Sequence, residues 1–296
     1  MRLRDMLATT AMATLVLGLA APAGAQMPAA PSAPAPTAPG PAATAVPTPA
    51  LEGAEAMAAH RAAYRLTLDH ARQNSEVTQA TGAMLFEVRD ACDGWTTRQR
   101  LTISVVNRAG DTVETGSDYS TWESKDGLHL RFTLTQTAQG AVTQRVAGEA
   151  EVNGDKGGTV NYQEPAAEQV TLPAGTILPM AHTIRTLGLA HAGQKMLVTP
   201  LFDGTTAEGA QDSTTLLSPW TAPGTSPRFP LLANQASARM RIAFFNRDAS
   251  AGAGTPEYEV GLRYFANGVA DEMKMDFGDF VLDGKMESLE PLPHDC

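Results

Sequence analysis

The stretch "GLHLRFTLTQ", residues 127–136, constrains the fold more than any other part of the chain. Leu128, Leu130, Phe132 and Leu134 fall on one side of an extended backbone, while His129, Arg131 and Thr133 fall on the other. That two-residue period belongs to a half-buried strand. Just before it, Asp126-Gly127 supplies a tight hairpin turn and "DYSTWES" its partner strand. The same grammar returns in "YEVGLRYF" (258–265), Asn267-Gly268 and "VADEMKMDF". "GAMLFEV", "RLTISVV", "QRVAGEAEV", "TVNYQEP", "KMLVTPLF" and "MRIAFF" read as further strands, separated by Gly, Asn or Asp. Parallel strands need long crossover connections, and strands this closely spaced leave no room for them. The expected fold class is therefore all-β, a long antiparallel β meander.

One segment breaks the pattern. "LPMAHTIRTLGLAHAG" (178–193) places Met180, Ile184, Leu187 and His191 at helical spacing and stops at Gly193, which predicts one short helix. "EGAEAMAAHRAAYRLTLDHAR" (52–72) carries helix-favouring alanines, yet Tyr64, Leu66 and Leu68 alternate, so a strand is expected from about Tyr64. No repeat of fixed period is present; "LFDGT" and "LDGK" only echo the Asp-Gly turn.

The first residues carry an address. Arg2 and Arg4 precede the uncharged apolar run Leu7–Ala20, and Ala23 and Ala25 fit an A-x-A cleavage site. This order reads as a secretory signal peptide over residues 1–25, since the apolar run is too short to span a bilayer. Residues 26–50 are rich in Pro and Ala and uncharged, a composition that cannot offset its ordering entropy and predicts a disordered tether. Residues 51–296 are left as a single domain. No later run is long and apolar enough for a membrane span. Loss of Arg2, Arg4 and Asp5 takes the formal charge from −10 to −11. Such a surface argues against nucleic acid, whose phosphates select Lys/Arg patches.

Catalytic motifs are missing. "TGSDY" around Ser117 lacks the second glycine of a nucleophile elbow, and Ser124 is followed directly by Lys125 rather than spaced from it. His60, His70, His129, His182, His191 and His294 form no H-x-H, H-x-x-H or H-E-x-x-H motif, so no metal site and no cofactor are expected. His182 and His191 lie nine apart, on opposite sides of the expected helix, and read as structural histidines. "FDGTTAEGAQD" lacks the calcium-loop pattern and reads as a polar surface loop. Glu257/Glu259 and Asp271/Glu272 could supply a hydrolase with two carboxylates, but among so many acidic residues they read as solvated strand faces. No catalytic residue and no ligand-binding residue is legible.

The cysteines say more. Cys92 and Cys296 are the only two, and an even pair in an exported chain implies a disulfide that ties the C-terminus to an early strand. Two free thiols are the alternative.

In order along the chain stand "HRAAYRLTL", "ACDGWTTRQR", "WESKDGLHLRF", "LPAGTILPMAH", "FDG", "PEYEV", "YFANGVADEMKMDFGDFVLDG" and the closing cysteine. In these the sequence resembles the EipB family of cell-envelope integrity proteins, periplasmic proteins of alphaproteobacteria. The resemblance implies an open spiral or incomplete barrel of antiparallel strands with one helix beside it. It also implies a disulfide at the positions of Cys92 and Cys296, no enzymatic activity, and a periplasmic tetratricopeptide-repeat partner.

Three functions follow as expectations. The first is a periplasmic non-enzymatic protein that supports envelope integrity by binding a protein, envelope lipid or glycan on its curved β-surface. The second is a carrier of lipid or another hydrophobic ligand, and the third a hydrolase with a carboxylate pair. A trough lined by Leu, Met and Phe would favour the carrier; two close carboxylates in a cleft would favour the hydrolase.

Overall fold

The structure, a computed structural model, describes residues 50–224, 228–247 and 254–293. The segment expected to be a signal peptide, the expected tether up to residue 49, and Cys296 lie outside the described residues. The described residues form one sheet of fourteen strands, every neighbouring pair antiparallel. In chain order these are β1 (His60–Ala71), β2 (Val77–Asp90), β3 (Gly94–Asn107), β4 (Thr112–Ser124), β5 (His129–Ala138), β6 (Ala141–Val152), β7 (Gly158–Glu164) and β8 (Glu168–Leu172). The helix α1 (Pro179–His191) follows. The remaining strands are β9 (Met196–Leu201), β10 (Gln211–Leu217), β11 (Ser237–Phe245), β12 (Tyr258–Phe265), β13 (Ala270–Asp276) and β14 (Phe280–Pro291).

The chain winds outward in two meanders from the central pair β1 and β14. One meander ends at β8 and the other at β9, and these two edges do not pair, so the barrel stays open. The chain between β8 and α1 bridges part of the seam. Ile177 N–H donates to the Pro200 carbonyl at 3.0 Å and its carbonyl accepts from Phe202 N–H at 3.1 Å. The expected all-β class, the single helix and the hairpins at Asp126-Gly127 and Asn267-Gly268 are all present.

Five local readings differ. β1 begins at His60, four residues before Tyr64, because Arg61–Ala63 pair on both sides, with β2 and with β14. "LDGK" makes no turn; it lies inside β14, where Gly284 sits opposite both Leu66 and Met273. A Cβ there would come within 3.1 Å of either side chain, so this glycine serves packing rather than chain reversal. β10, "QDSTTLL", was invisible because its inner face is polar. Ser213 and Thr215 are buried, and their hydroxyls bond the Thr199 carbonyl at 2.7 Å and His182 Nε2 at 2.9 Å. β8, of five residues, is too short and too exposed to alternate legibly.

The fifth is the segment expected as a polar surface loop. Phe202 is fully buried in a cluster with Phe132, Tyr162, Leu172 and Leu178. Its ring meets Phe132 and Tyr162 edge-on, with centroids 5.4 and 6.4 Å away. Tyr119 and Tyr162 hydroxyls donate to the carbonyls of Asp203 and Thr206, and Gly209 N–H donates to the Tyr162 hydroxyl. The polar side chains hid a backbone anchored by tyrosines. Gly204 (φ 73°) lies so close that a Cβ would sit 2.4 Å from the Phe132 ring. Gly204→Ala is therefore expected to cost about 2 kcal/mol through left-handed strain and overpacking, read as a lower denaturant midpoint.

Candidate functional site

Inside the curl lies a cavity of about 1410 Å³. Its lining runs from Gln144 on β6 through β5 to β1 and on through β13, β12, β11 and β10 to Leu201 on β9. In strand order these extremes are eleven steps apart, about 53 Å in a flat sheet. Only the rolling of the sheet brings them round one space. The volume exceeds the roughly 300–1,000 Å³ usual for a small-molecule site.

Its walls differ in chemistry. On β1, β2 and β11–β13 the lining is apolar, with Met84, Phe86, Phe244, Val260, Met273 and Met275. An aromatic row closes this side: Tyr258 lies 5.9 Å from Phe244 and 5.3 Å from Phe277, which stacks on Phe280 at 5.2 Å. Tyr64 and Tyr119 also border the cavity and bond through their hydroxyls. Tyr64 donates to the Ala270 carbonyl at 2.6 Å, and burial pushes its pKa well above the usual phenol range. On β3–β6 the lining is mostly uncharged amide and hydroxyl: Thr97, Gln99, Ser117, Thr121, Gln136 and Gln144.

The N-terminus of α1 meets the cavity through Pro179, Met180, His182 and Thr183. Pro179 at the first helical turn and Gly193 (φ 75°) just beyond the end set the boundaries. Leu178 caps no N–H with its side chain. Glu123, the penultimate residue of β4, does so instead: its two oxygens accept from Met180 N–H at 2.7 Å and Ala181 N–H at 2.8 Å. Glu123 is 1% exposed, and burial pushes its carboxyl up to about 8 against the lowering effect of the two N–H donors. Sequence reading missed this residue, because its partners lie 57 and 58 positions away.

The histidines serve structure. His182 is buried against Thr215, and burial, with Arg185 second, takes it down to about 4, so it stays neutral at pH 7. His191 is exposed against Trp220, with ring centroids 5.7 Å apart, rather than joining Ile184 and Leu187 in the buried face. His60 borders the cavity, 1% exposed. Its Nδ1 lies 2.8 Å from the Ala58 carbonyl and its buried Nε2 has no partner among the described residues. Among the described residues no three His, Cys, Asp or Glu side chains are placed to hold a metal ion.

The candidate carboxylates are not brought together as an acid–base pair. Glu259 bonds Arg241 at 2.5 Å, Glu272 bonds Arg239 and Arg263, and Asp271 accepts from the backbone of Glu272 and Met286. Glu257 borders the cavity and accepts from Gln211 at 3.4 Å. Ser117 also faces the cavity, in register with Leu101 and Gln136 and with no histidine beside it in the ladder. Cys92 (φ 67°) sits in the β2–β3 turn, where its N–H donates to Asp90. No helix among the described residues is long and apolar enough to cross a membrane.

Comparison with known proteins agrees with this geometry. The family model described as EipB-like matches residues 51–293. The cell envelope integrity protein EipB of Brucella abortus is 29% identical over 240 residues, 78% of this chain and 83% of that protein. A crystal structure of a β-barrel-like protein of a domain of unknown function from Brucella abortus superposes with a TM-score of 0.72 at 29% identity. It covers 80% of this chain and 99% of the other.

Proposed function

Because the chain belongs to the EipB-like family, we propose that it is an exported, periplasmic protein of envelope integrity that works by enclosing an apolar ligand in its open barrel. The observation that carries this reading is the large cavity with its Met, Phe and Tyr wall. A protein interior is normally packed without voids larger than a water molecule. A space this size, bordered by apolar side chains, therefore suits an occupant rather than a core. The hydrolase reading is weaker, since Glu259, Glu272 and Asp271 are engaged with arginines and backbone N–H groups and Glu257 is left without a carboxylate partner from the candidate pairs.

An uncharged fluorescent probe, N-phenyl-1-naphthylamine, tests this. Uptake is expected at one per chain with a Kd of about 1 μM, which corresponds to about −8 kcal/mol. Leu101→Trp/Val260→Trp, which places bulk in the cavity, should weaken it at least tenfold with the fold retained by circular dichroism. Absence of any uptake would sink the carrier reading. A protein partner is the second reading, favoured by Met196, Val198 and Leu216, which stand 55%, 63% and 50% exposed on paired strands β9 and β10. Photocrosslinking from position 198 in periplasm tests it; no adduct there would remove this surface.

A further inference from the structure

The polar wall of the cavity is ordered. Leu101, Ser117, Gln136 and Gln144 stand in one cross-strand row over β3, β4, β5 and β6. Gln99, Tyr119 and Leu134 form the next row, and Thr97, Thr121 and Phe132 the one after. Residues two apart on a strand share a face, so the amides and hydroxyls of these rows are turned toward the same space. The Gln136 side-chain oxygen and His60 Nε2, both buried atoms of residues that border the cavity, have no partner among the described residues. With His60 Nδ1 beside the Ala58 carbonyl, the ring in its neutral form donates there and leaves Nε2 as an acceptor.

Charge is equally one-sided. Asp203, Glu208, Asp212 and Glu257 border the cavity, and no Lys or Arg is among its described lining residues. Arg247 pairs with Asp212, and Asp203 accepts from Thr205 N–H and its hydroxyl. A phosphate or carboxylate headgroup would meet carboxylates and find no cation to pair with, at a desolvation cost nothing here offsets. A sugar or polyol offers both donors and acceptors, which Gln, Ser, Thr and carboxylate oxygens match.

We propose that the cavity selects amphiphiles with an uncharged, hydroxyl-rich headgroup, a glycosylated lipid in chemical class, and rejects anionic lipids. The apolar chain lies along β1, β2 and β11–β13, and the headgroup lies against the amide and hydroxyl rows of β3–β6. This assignment rests on the carrier reading and adds the headgroup to it.

The test is competition against bound N-phenyl-1-naphthylamine on the mature protein. The competitors are dodecyl maltoside, dodecyl phosphate and free maltose, each below any micelle concentration. Dodecyl maltoside is expected to displace the probe at a concentration at least tenfold below dodecyl phosphate, and maltose not at all. Gln99→Leu/Gln136→Leu/Gln144→Leu should lose at least fivefold in affinity for the maltoside relative to the same variant's affinity for the probe. Glu208→Gln/Glu257→Gln should narrow the gap to dodecyl phosphate. If the probe binds but phosphate and maltoside compete equally, the headgroup assignment falls while the carrier reading stands. If maltose competes as well as its dodecyl glycoside, the ligand is a glycan and the lipid assignment falls. If the probe does not bind, both fall.

Discussion

Glu123→Ala is expected to lower stability by about 2–4 kcal/mol. The loss of a helix cap alone costs about 0.5–2 kcal/mol. Here the two N–H groups left behind, of Met180 and Ala181, lie under β4, and each buried unsatisfied donor adds about 1–3 kcal/mol. Relief from burying the carboxyl offsets part of that sum. For a domain of this size the shift is about 5–15 °C in Tm, measurable by calorimetry. The pH dependence carries a sign. Burial raises the native Glu123 carboxyl from 4.5 to about 8. Between those values the native state holds a proton that the unfolded chain has released, so this group's contribution falls as pH rises from 4.5 to 8 and levels off above. The slope is at most about 1.4 kcal/mol per pH unit. His60 and His182, whose pKa values burial lowers, add their own pH dependence to stability, and it must be cancelled. The measurement is therefore the difference in urea midpoint between wild type and Glu123→Gln at pH 5, 6, 7 and 8. Wild type should lead at pH 5 and lose that lead by pH 8. A difference independent of pH would show that Glu123 is ionised throughout.

Loss of the proposed Cys92–Cys296 bridge should be comparably large. A loop of about 200 residues gives roughly 5 kcal/mol in the chain-entropy model, and measured effects usually fall nearer 2–4 kcal/mol. The topology supports the pairing. His60 stands opposite Val88 on one side and Pro291 on the other, and Leu292 N–H donates to the Ala59 carbonyl at 3.0 Å. The chain ends leading to Cys92 and Cys296 thus leave the sheet at one rim, two ladder steps apart, about 10 Å. No cysteine among the described residues is free. Cys92→Ser, Cys296→Ser and the double substitution should share nearly one loss in Tm, since each removes the same constraint. Thiol labelling of the unreduced, denatured protein checks the premise; two reactive thiols per chain would refute the bridge.

The strands were legible wherever one face was apolar. Leu130, Phe132 and Leu134 alternate in the sequence and are buried together, and the Asp126-Gly127 and Asn267-Gly268 turns reverse the chain where turn chemistry requires. The helix was legible from its spacing between Pro179 and Gly193. These are local facts, fixed by side-chain periodicity and φ preferences within a few residues. β10 escaped because its buried Ser213 and Thr215 are satisfied by partners on other elements. Asp283-Gly284 misled because an identical dipeptide can reverse a chain or clear space for Leu66 and Met273, and only the neighbours decide.

The sequence by itself thus determined the antiparallel meander, the single helix and, through the order of its motifs, the family. The tertiary structure alone decided the rest. Nothing local relates Gln144 to Phe244, or Glu123 to the N–H groups of α1. Those meetings depend on the accumulated roll of fourteen strands, a sum of small twists that no short window of residues encodes. The cavity lies inside that roll, whose end strands β8 and β9 stay unpaired, and its split into apolar and amide walls follows from which strands the roll sets face to face.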